Sequence, residues 1–288
     1  MTEIITTGVR APEGPVLLPD GRIAFVEQAR GQVSVWDGGS VDVVATGPGA
    51  WNGLTLGADG ALYGAQNGGA AGGWADRGVH TAGIERIGLD GSVARVTTSL
   101  GGTAPVAPND LAFGPDGQLY FTDPAHAYNP DAPGTPGRLF VAGPGGQANV
   151  LIELDACYCN GIGFLADGAL VWVESYGRYV CTLDDDGGRR VICQLPDEHV
   201  PDGFAVASDG RIFIATVFSH GVTVISPDGE LLDHLPCGDD GLVTNCCFVG
   251  SDLIVTDFGP DLVNDPDAGR LWRVPTDATG LALHAGAL

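Results

Sequence analysis

Residues 108–124 read PNDLAFGPDGQLYFTDP, a stretch in which two short apolar runs, LAF and LYF, flank a PDG turn. Apolar runs of this length around such a turn are typical of a tight β-hairpin. Asn109 and Asp110 precede the hairpin, at the point where its first strand should enter a core. Two polar side chains at that position indicate a functional role, because the folding of an isolated hairpin does not require them.

The same hairpin recurs along the chain. Each copy is followed by a second hairpin-like pair, as in QVSVWDGGSVDVVA at 32–45. The turns are PDG at 19–21, ADG at 58–60, PDG at 115–117, ADG at 166–168, SDG at 208–210 and a shortened VGSD at 249–252. Six units of four short strands predict an all-β, six-bladed β-propeller with four antiparallel strands per blade. We expect residues 1–288 to form this single domain, because a sandwich or a barrel would not explain the repeat.

The composition excludes several classes of function. The chain of 288 residues is long enough for a sizeable core and carries a formal net charge of −23. Nucleic acids and anionic membranes both require basic surfaces, so neither is an expected partner. All 13 basic residues are arginine, which excludes a Schiff-base lysine and a P-loop lysine. We find no secretion signal and no apolar run near the ~20 residues that span a membrane, and so expect a cytoplasmic protein.

Seven cysteines occur in the chain, without the paired CxxC spacing of a structural zinc site. Thiols stay reduced in the cytoplasm, so we expect free cysteines that pack as small apolar side chains. They are Cys157, Cys159, Cys181, Cys193, Cys237, Cys246 and Cys247.

A fixed register links the turns to a set of oxygen-bearing side chains. The residue seven positions before the Asp of each turn is Glu, Asn or Asp in all six units. These ring residues are Glu13, Asn52, Asn109, Asn160, Asp202 and Asn245. Because the first strand of a blade lines the channel of a propeller, we expect the six side chains at one height around the axis. Turn capping by Asn and Asp is the alternative, but Ser, Thr and Gly would then share these positions.

The ring residues form a set of hard ligands, with two carboxylates, several amides and neither His nor Cys. Such oxygens suit Ca²⁺ best, with Mg²⁺, Mn²⁺ and the less well matched Zn²⁺ as alternatives. Without a cation, Glu13 and Asp202 would repel each other across a narrow channel. We therefore expect a divalent cation, and Asn109 is polar because it is directed toward that ion.

Four segments resemble the metal-site motifs of a known family. They are APEGPVLLPDG at 11–21, PNDLAFGPDG at 108–117, CNGIGFLADG at 159–168 and PDGFAVASDG at 201–210. Together they are similar to the SMP-30/gluconolactonase/luciferin-regenerating-enzyme family, six-bladed propellers that include sugar lactonases and diisopropylfluorophosphatase. The resemblance implies a divalent cation, commonly calcium, surrounded by Glu13, Asn109, Asn160 and Asp202. It also implies that Asp202 is catalytic, as general base or nucleophile.

One departure from the family pattern bears on the substrate. Sugar lactonases of the family usually place an Arg two residues before the third-blade Asn and follow that Asn with Asp-Gly. Here Ala107 and Leu111 stand at the Arg and Gly positions. Loss of the Arg removes a two-pronged hydrogen-bonding group for substrate hydroxyls. We therefore expect a lactone or cyclic carbonyl compound that is less polar than gluconolactone.

Loops at the mouth of the predicted channel carry candidate substrate contacts. If the ring residues mark the upper end, the loop after each second strand returns to that end. These loops, together with the ring, supply Trp51, Asn52, Trp74, His126, Tyr128, Tyr176, Phe218, His220 and Asn245. Aromatic groups around a hard cation predict an apolar substrate with one or two carbonyl oxygens. Packing between loops is the alternative for each of them.

These patterns lead to one hypothesis and two alternatives. The hypothesis is a divalent-metal-dependent hydrolase that opens a lactone or related cyclic ester, with Asp202 accepting a proton from water. One alternative is hydrolysis of a phosphotriester or P–F bond at the same ion, and the other is a non-catalytic, calcium-stabilised binding propeller. A small molecule is the expected partner, and the oligomeric state is open. The closing strand is also open, because EIITTGV at 3–9 and ATGLALHAG at 278–286 both resemble the outer strand of the last blade.

Overall fold

Each repeated unit forms one small β-sheet. Across the residues that this computed structural model describes, 1–69, 80–99, 103–265 and 267–288, the chain builds six sheets. Short runs of strand-forming residues separated by Gly-containing turns make each unit pair with itself as a meander. The predicted all-β, six-bladed propeller is confirmed.

The first half of the chain contains three blades and the strand that precedes them. Strand β1 spans Glu3–Val9. Blade 1 consists of β2 (Pro12–Leu17), β3 (Ile23–Glu27), β4 (Gln32–Trp36) and β5 (Val41–Thr46). Blade 2 consists of β6 (Trp51–Leu56), β7 (Leu62–Gln66), β8 (Gly83–Ile87) and β9 (Val93–Arg95). Blade 3 consists of β10 (Thr98–Ser99), β11 (Leu111–Phe113), β12 (Leu119–Asp123), β13 (Arg138–Ala142) and β14 (Gln147–Glu153).

The second half contains the other three blades. Blade 4 consists of β15 (Cys159–Phe164), β16 (Leu170–Glu174), β17 (Tyr179–Leu183) and β18 (Arg189–Gln194). Blade 5 consists of β19 (Pro201–Val206), β20 (Ile212–Thr216), β21 (Gly221–Ile225) and β22 (Leu231–Pro236). Blade 6 contains β23 (Val243–Val249), β24 (Asp252–Asp257) and β25 (Gly269–Pro275).

The inner strands close a ring around the channel. β2, β6, β11, β15, β19 and β23 each contact the next one in this order, and β23 contacts β2. We call the end where these strands begin the upper end and the end with the DG turns the lower end. The ring residues therefore lie at the upper end, as the register predicts.

The N-terminal strand closes the propeller. β1 pairs antiparallel with β25, so the last blade has the order β1-β25-β24-β23. The C-terminal segment instead crosses the lower end of the channel. Leu281 N donates to Val206 O (2.8 Å) in blade 5, and Ala58 N of blade 2 donates to Gly286 O (2.7 Å). Of the two termini that resembled an outer strand, the first is the one that the fold uses.

Two details depart from six identical blades. Blade 3 carries a fifth strand, β10, which pairs parallel with the outer strand β14. Short 3-10 helices follow the second strands of blades 1 and 5, at Gln28–Arg30 and Val217–Ser219. No helix of the described ranges has the length and apolar character needed to cross a bilayer.

The core lies between neighbouring blades. Along each strand, every second side chain points toward the neighbouring blade, and the side chains of the two facing sheets interdigitate. Large aromatic residues such as Trp172, Phe121 and Phe213 are almost fully buried there. Tyr63 meets Phe113 edge to face across blades 2 and 3, with ring centroids 5.2 Å apart. Phe213 and Phe248 do the same across blades 5 and 6 at 5.1 Å. Such pairs hold adjacent blades in register.

A buried polar side chain at the end of several second strands holds the loop that leads into the inner strand. Asp123 accepts hydrogen bonds from the backbone N–H groups of Val106 and Ala107, both at 2.8 Å. Asp257 accepts one from Leu242 N at 2.9 Å. Glu27 and Gln66 act in the same way toward Arg10 and Ala50. Because the ring residues follow these loops directly, the buried acceptors set where the ring begins.

Asp257 provides a test of this arrangement. Its carboxylate is fully buried and also accepts from Arg270 Nε (2.9 Å) and Trp272 Nε1 (2.8 Å). We expect Asp257→Ala to lower the free energy of unfolding by about 3–5 kcal/mol, because it leaves the donors of Leu242 and Trp272 without an acceptor and removes the buried partner of Arg270. Asp240→Ala is the matched control, since Asp240 is an exposed partner of the same Arg270, and we expect a loss of about 0–1 kcal/mol. Equal losses in urea unfolding would contradict the assignment.

Candidate metal and substrate site

Five of the six inner strands, all except β11, are bulged where the ring residues lie. Pairing with the second strand shifts register between Glu13 and Val16, and again between Cys159 and Ile162. The same irregularity occurs in β6, β19 and β23. A bulge inserts an unpaired residue and changes the direction of the side chains beside it. The upper ends of these strands therefore do not follow simple in-out alternation.

Glycines beside the bulges let neighbouring blades approach closely. A Cβ atom on Gly203 would overlap the side chain of Asn245 in the next blade, and one on Gly53 would overlap Asp110. A Cβ atom on Gly161 would lie 2.6 Å from Asp202 O. In blades 1, 2, 4 and 5 the Gly that follows the ring residue is therefore required by the contact with the next blade. In blade 3 the corresponding position is Asp110, so an additional carboxyl group enters the ring.

Three carboxyl groups lie within electrostatic range of one another at the upper end of the channel. Burial, and then the negative charge of Asp110, raise the pKa of Glu13 to about 8. Burial raises the pKa of Asp110 to about 7. Burial, followed by the charges of Glu13 and Asp110, holds the pKa of Asp202 well above its usual range. Glu13, Asp110 and Asp202 together are called the carboxyl cluster below.

Amide groups of the ring residues donate hydrogen bonds to the carboxyl cluster. Asn245 Nδ2 donates to Glu13 Oε2 (3.0 Å) and, more weakly, to Asp110 Oδ2 (3.5 Å). Glu13 Oε2 also accepts from Gly14 N (2.7 Å). The Asn160 side chain hydrogen-bonds to Asp202, and its Nδ2 is 3.2 Å from Ser175 Oγ. Asn245 is thus a partner of the carboxylates, and Asn160 is placed beside Asp202.

One acceptor in this group has no partner. Asn160 Oδ1 is buried and accepts no hydrogen bond from any described residue. Within the same described ranges, no ion pair to arginine or histidine involves Glu13, Asp110 or Asp202. Buried carboxylates and a free amide oxygen without a positive partner are unfavourable unless a cation offsets them.

The donor set fits a hard divalent cation. Within the described residues no group of three or more His, Cys, Asp and Glu side chains has the arrangement of a metal site. The predicted set contains only two such residues, because its other two donors are amides. Glu13 and Asp202, with the free oxygen of Asn160, would offer a bound Ca²⁺ the oxygen ligands that it prefers. Asn109 is less directly joined to them, since its side chain hydrogen-bonds to Tyr158.

An aromatic wall lies beside the carboxyl cluster. It consists of His126, Tyr128, Tyr158 and Tyr176, with tyrosine ring centroids 5.2–5.6 Å apart. Burial is the main cause of the raised pKa of Tyr128 and Tyr158, and the charge of Asp202 adds to it in both cases. The wall and Asp202 therefore face one space. Asp202 is partly exposed there, while the other five ring residues, all within the described ranges, are buried.

The remaining residues predicted to contact substrate do not join the carboxyl cluster or the aromatic wall. Trp51 is in the core between blades 1 and 2, with Nε1 donating to Glu85 (2.8 Å), so its assignment to the substrate pocket is wrong. Asn52 accepts from Gln28 Nε2 (3.0 Å) rather than joining the carboxyl cluster. Phe218 is exposed on its 3-10 helix, and His220 Nδ1 contacts Gly241 O. Trp74 lies outside the described residues.

Two important residues were not predicted. Asp110 joins the carboxyl cluster because it occupies the position after a ring residue, and its place beside Asn109 was the available signal. Tyr158 is part of the wall because it adopts a left-handed backbone conformation with φ of 51°. No local sequence feature indicates that conformation for a tyrosine.

A cavity lies below the carboxyl cluster. Asp110 and Asn245 contribute to its lining, and its volume is about 690 Å³. Apolar side chains such as Phe113 and Phe204 form its sides, and the segment from Thr279 to His284 lines its lower end. The C-terminal segment therefore covers the side of the channel that is opposite the aromatic wall.

Fold and site together define a six-bladed propeller with a buried oxygen-donor centre at one end. Residues 11–257 match the family described as the SMP-30/Gluconolactonase/LRE-like region, and the chain belongs to this family. The resemblance read from the four motifs is thereby confirmed.

Similar proteins share this architecture. The chain is 25% identical over 282 residues to a gluconolactonase of Zymomonas mobilis, which covers 85% of this chain and 75% of that protein. The solved structure of a gluconolactonase of Xanthomonas campestris is 25% identical, with a TM-score of 0.75 over 95% of this chain and 89% of that one. A calcium-binding protein, regucalcin, of Agrobacterium tumefaciens has a TM-score of 0.78 at 17% identity, over 100% and 98% of the two chains. At that identity the last likeness is one of fold.

The wall depends on one hydroxyl group that can be tested. Tyr176 Oη accepts from Asn129 N (3.0 Å) and lies 3.1 Å from His126 Nε2, which ties the loop after β12 to blade 4. We expect Tyr176→Phe to speed amide hydrogen exchange at Asn129 by about 5- to 10-fold, the effect of one lost hydrogen bond. Tyr128→Phe is the control, because it keeps the acceptor for Asn129. Unchanged exchange in Tyr176→Phe would contradict the role of this hydroxyl.

Proposed function

We propose that this protein is a divalent-cation-dependent hydrolase that opens a lactone or a related cyclic ester. The observation that carries the proposal is the position of Asp202, a partly exposed member of the carboxyl cluster that faces the aromatic wall. The likeness to gluconolactonases of Z. mobilis and X. campestris supports a lactonase-type reaction. The oxygen donors of Glu13, Asn160 and Asp202 support Ca²⁺ as the cation.

Four residues would hold the cation: Glu13, Asn109, Asn160 and Asp202. When bound there, a divalent cation polarises the carbonyl oxygen of the substrate and stabilises the negative charge that develops on it. Asp110 and Asn245 would not bind the cation directly. Asn245 donates to both Glu13 and Asp110, so it holds the Glu13 carboxylate in one orientation.

Asp202 would act as the general base. Its carboxylate takes a proton from water, and the water oxygen forms a bond to the carbonyl carbon of the ring. The ester C–O bond of the ring then breaks, and the released ring oxygen takes up a proton. The product is a hydroxy acid, which contains the atoms of the lactone and of one water molecule. The hydrogen bond from Asn160 orients the Asp202 carboxyl for this transfer.

The substrate would be less polar than gluconolactone. Ala107, at the position where related sugar lactonases carry Arg, is buried and its N–H is bound to Asp123. No guanidinium group is therefore supplied from this position for substrate hydroxyls. The aromatic wall beside Asp202 offers apolar surface in its place. An alkyl or aryl substituent on the lactone ring would pack against Tyr128 and Tyr176.

Replacing the base tests the reaction. We expect Asp202→Asn to lower kcat on the preferred lactone by about 10²- to 10⁴-fold while the protein stays folded, because the proton acceptor is lost. Asp209→Asn is the matched control, since Asp209 lies in the DG turn of the same blade and binds Arg211 at the surface. The assay covers aliphatic and aryl lactones, a phosphotriester and a P–F compound. Full turnover in Asp202→Asn would refute the role of Asp202, and faster turnover of the phosphorus compounds would favour the alternative hydrolase.

Cation binding is tested without any substrate. We expect Ca²⁺ at 100 times its Kd to stabilise the folded protein by about 2.7 kcal/mol, measured as a shift in thermal or urea unfolding. Glu13→Gln should lose this gain, because one carboxylate ligand is removed. Asp20→Asn is the control, since Asp20 is exposed in the DG turn of the same blade. Stabilisation by Ca²⁺ without turnover of any lactone would instead support a calcium-stabilised binding propeller.

A further inference from the structure

Two thiols flank one residue of the aromatic wall. Cys157 and Cys159 lie on either side of Tyr158, directly before Asn160. Both are free thiols, with Cys157 half-buried and Cys159 buried. The hydrolysis described above uses neither of them.

The backbone brings the two thiols together. The left-handed conformation of Tyr158, with φ of 51°, bends the chain between them. Both side chains pack in one apolar cluster, which also contains Trp172 and Cys181. The Cys157 thiol is also close enough to contribute to the raised pKa of Cys159. Because both side chains belong to this one cluster, side-chain rotation is the movement needed to bring the sulfurs to the S–S length of about 2.05 Å.

Other thiols are less well placed. Cys246 and Cys247 are adjacent in β23, so their side chains leave the strand on opposite faces. Cys181 belongs to the same apolar cluster, and Cys157 contributes to the raised pKa of its thiol. Cys181 is, however, fully buried on the separate strand β17. A link between Cys157 and Cys181 is therefore the competing product that a test has to distinguish.

We propose that Cys157 and Cys159 form a reversible disulfide, a modification site built into the wall of the candidate active site. A low-molecular-weight disulfide such as oxidised glutathione is the oxidant. The sulfur of the half-buried Cys157 attacks it, forms a mixed disulfide and releases one glutathione thiol. The sulfur of Cys159 then attacks the Cys157 sulfur and releases the second. In total two protein thiols become one disulfide, and one oxidised glutathione becomes two reduced molecules.

The disulfide would act on Tyr158. Closing a bond between its two neighbours restricts the backbone at Tyr158, whose hydroxyl is hydrogen-bonded by Asn109. Cys159 also gives up its hydrogen bond to Arg138 O (3.5 Å). Oxidation should therefore displace the Tyr158 ring from its place in the wall. Its effect on catalysis, which rests on the proposed hydrolase function, is a higher KM that a reductant reverses.

Arginine cleavage isolates this pair. The chain has no lysine, so trypsin cuts after Arg138 and Arg178 and releases residues 139–178, which contain Cys157 and Cys159 and no other cysteine. The full-length protein is equilibrated with about a tenfold excess of oxidised over reduced glutathione, alkylated and digested. We expect this peptide to lose two alkylation sites and about 2 Da of mass, and to regain both sites after reduction. Cys157→Ser should retain one alkylated thiol, and Cys181→Ser should behave like the parent.

Each outcome decides the proposal. Two alkylated thiols in peptide 139–178 after oxidation would overturn it, and so would a cross-link between this peptide and the one that contains Cys181. The mass measurement needs no enzymatic activity, so absence of lactonase turnover bears on the proposed function alone. If lactones are turned over, KM should rise severalfold on oxidation of the parent and stay constant in Cys157→Ser. An unchanged KM in the oxidised parent would refute the effect on the wall.

Discussion

Like charges buried together are the constraint around which this propeller is organised. Glu13, Asp110 and Asp202 lie close together in a place from which water is largely excluded. The charge of Asp110 raises the pKa of Glu13, and the charges of both raise the pKa of Asp202. Donors from the chain, chiefly Asn245 and the backbone, offset only part of that charge. The arrangement exists because glycines in four of the inner strands let neighbouring blades approach closely. The cation that we propose would offset the remaining charge, which is why fold and proposed chemistry depend on each other.

The blades were predictable because their determinants are local. Turn residues and short apolar runs specify a four-stranded meander, and six copies specify a closed ring. The register from each DG turn back to a ring residue is also a local distance. Ring closure is different, because segments near both ends of the chain carry the same local pattern. The choice of β1 depends on pairing with β25 across the length of the chain, and no local rule decides it.

The site was predictable as a list of ring positions, and less so as a set of contacts. One residue per blade follows from the register, which overlooks Asp110 at the next position. Trp51 was misplaced for a related reason, since a bulge of one residue reverses which face a neighbouring side chain occupies. The position of the Tyr158 ring depends on a left-handed backbone conformation that the local sequence does not predict. Errors therefore concentrate where the strands leave regular geometry, which is also where the proposed chemistry lies.

The pairing of β1 with β25 also has a consequence for biosynthesis. Glu3 and Arg273, which pair across these strands, are separated by 270 residues. At ribosomal speeds of ~5–20 residues per second, β1 has no partner strand for roughly 15 to 50 s after it is made. During that time blades 1 to 5 can form, but the ring stays open and both of its edges are unprotected. Ring closure is thus a late event, and the polar, threonine-containing EIITTGV segment is well suited to remain unpaired until then.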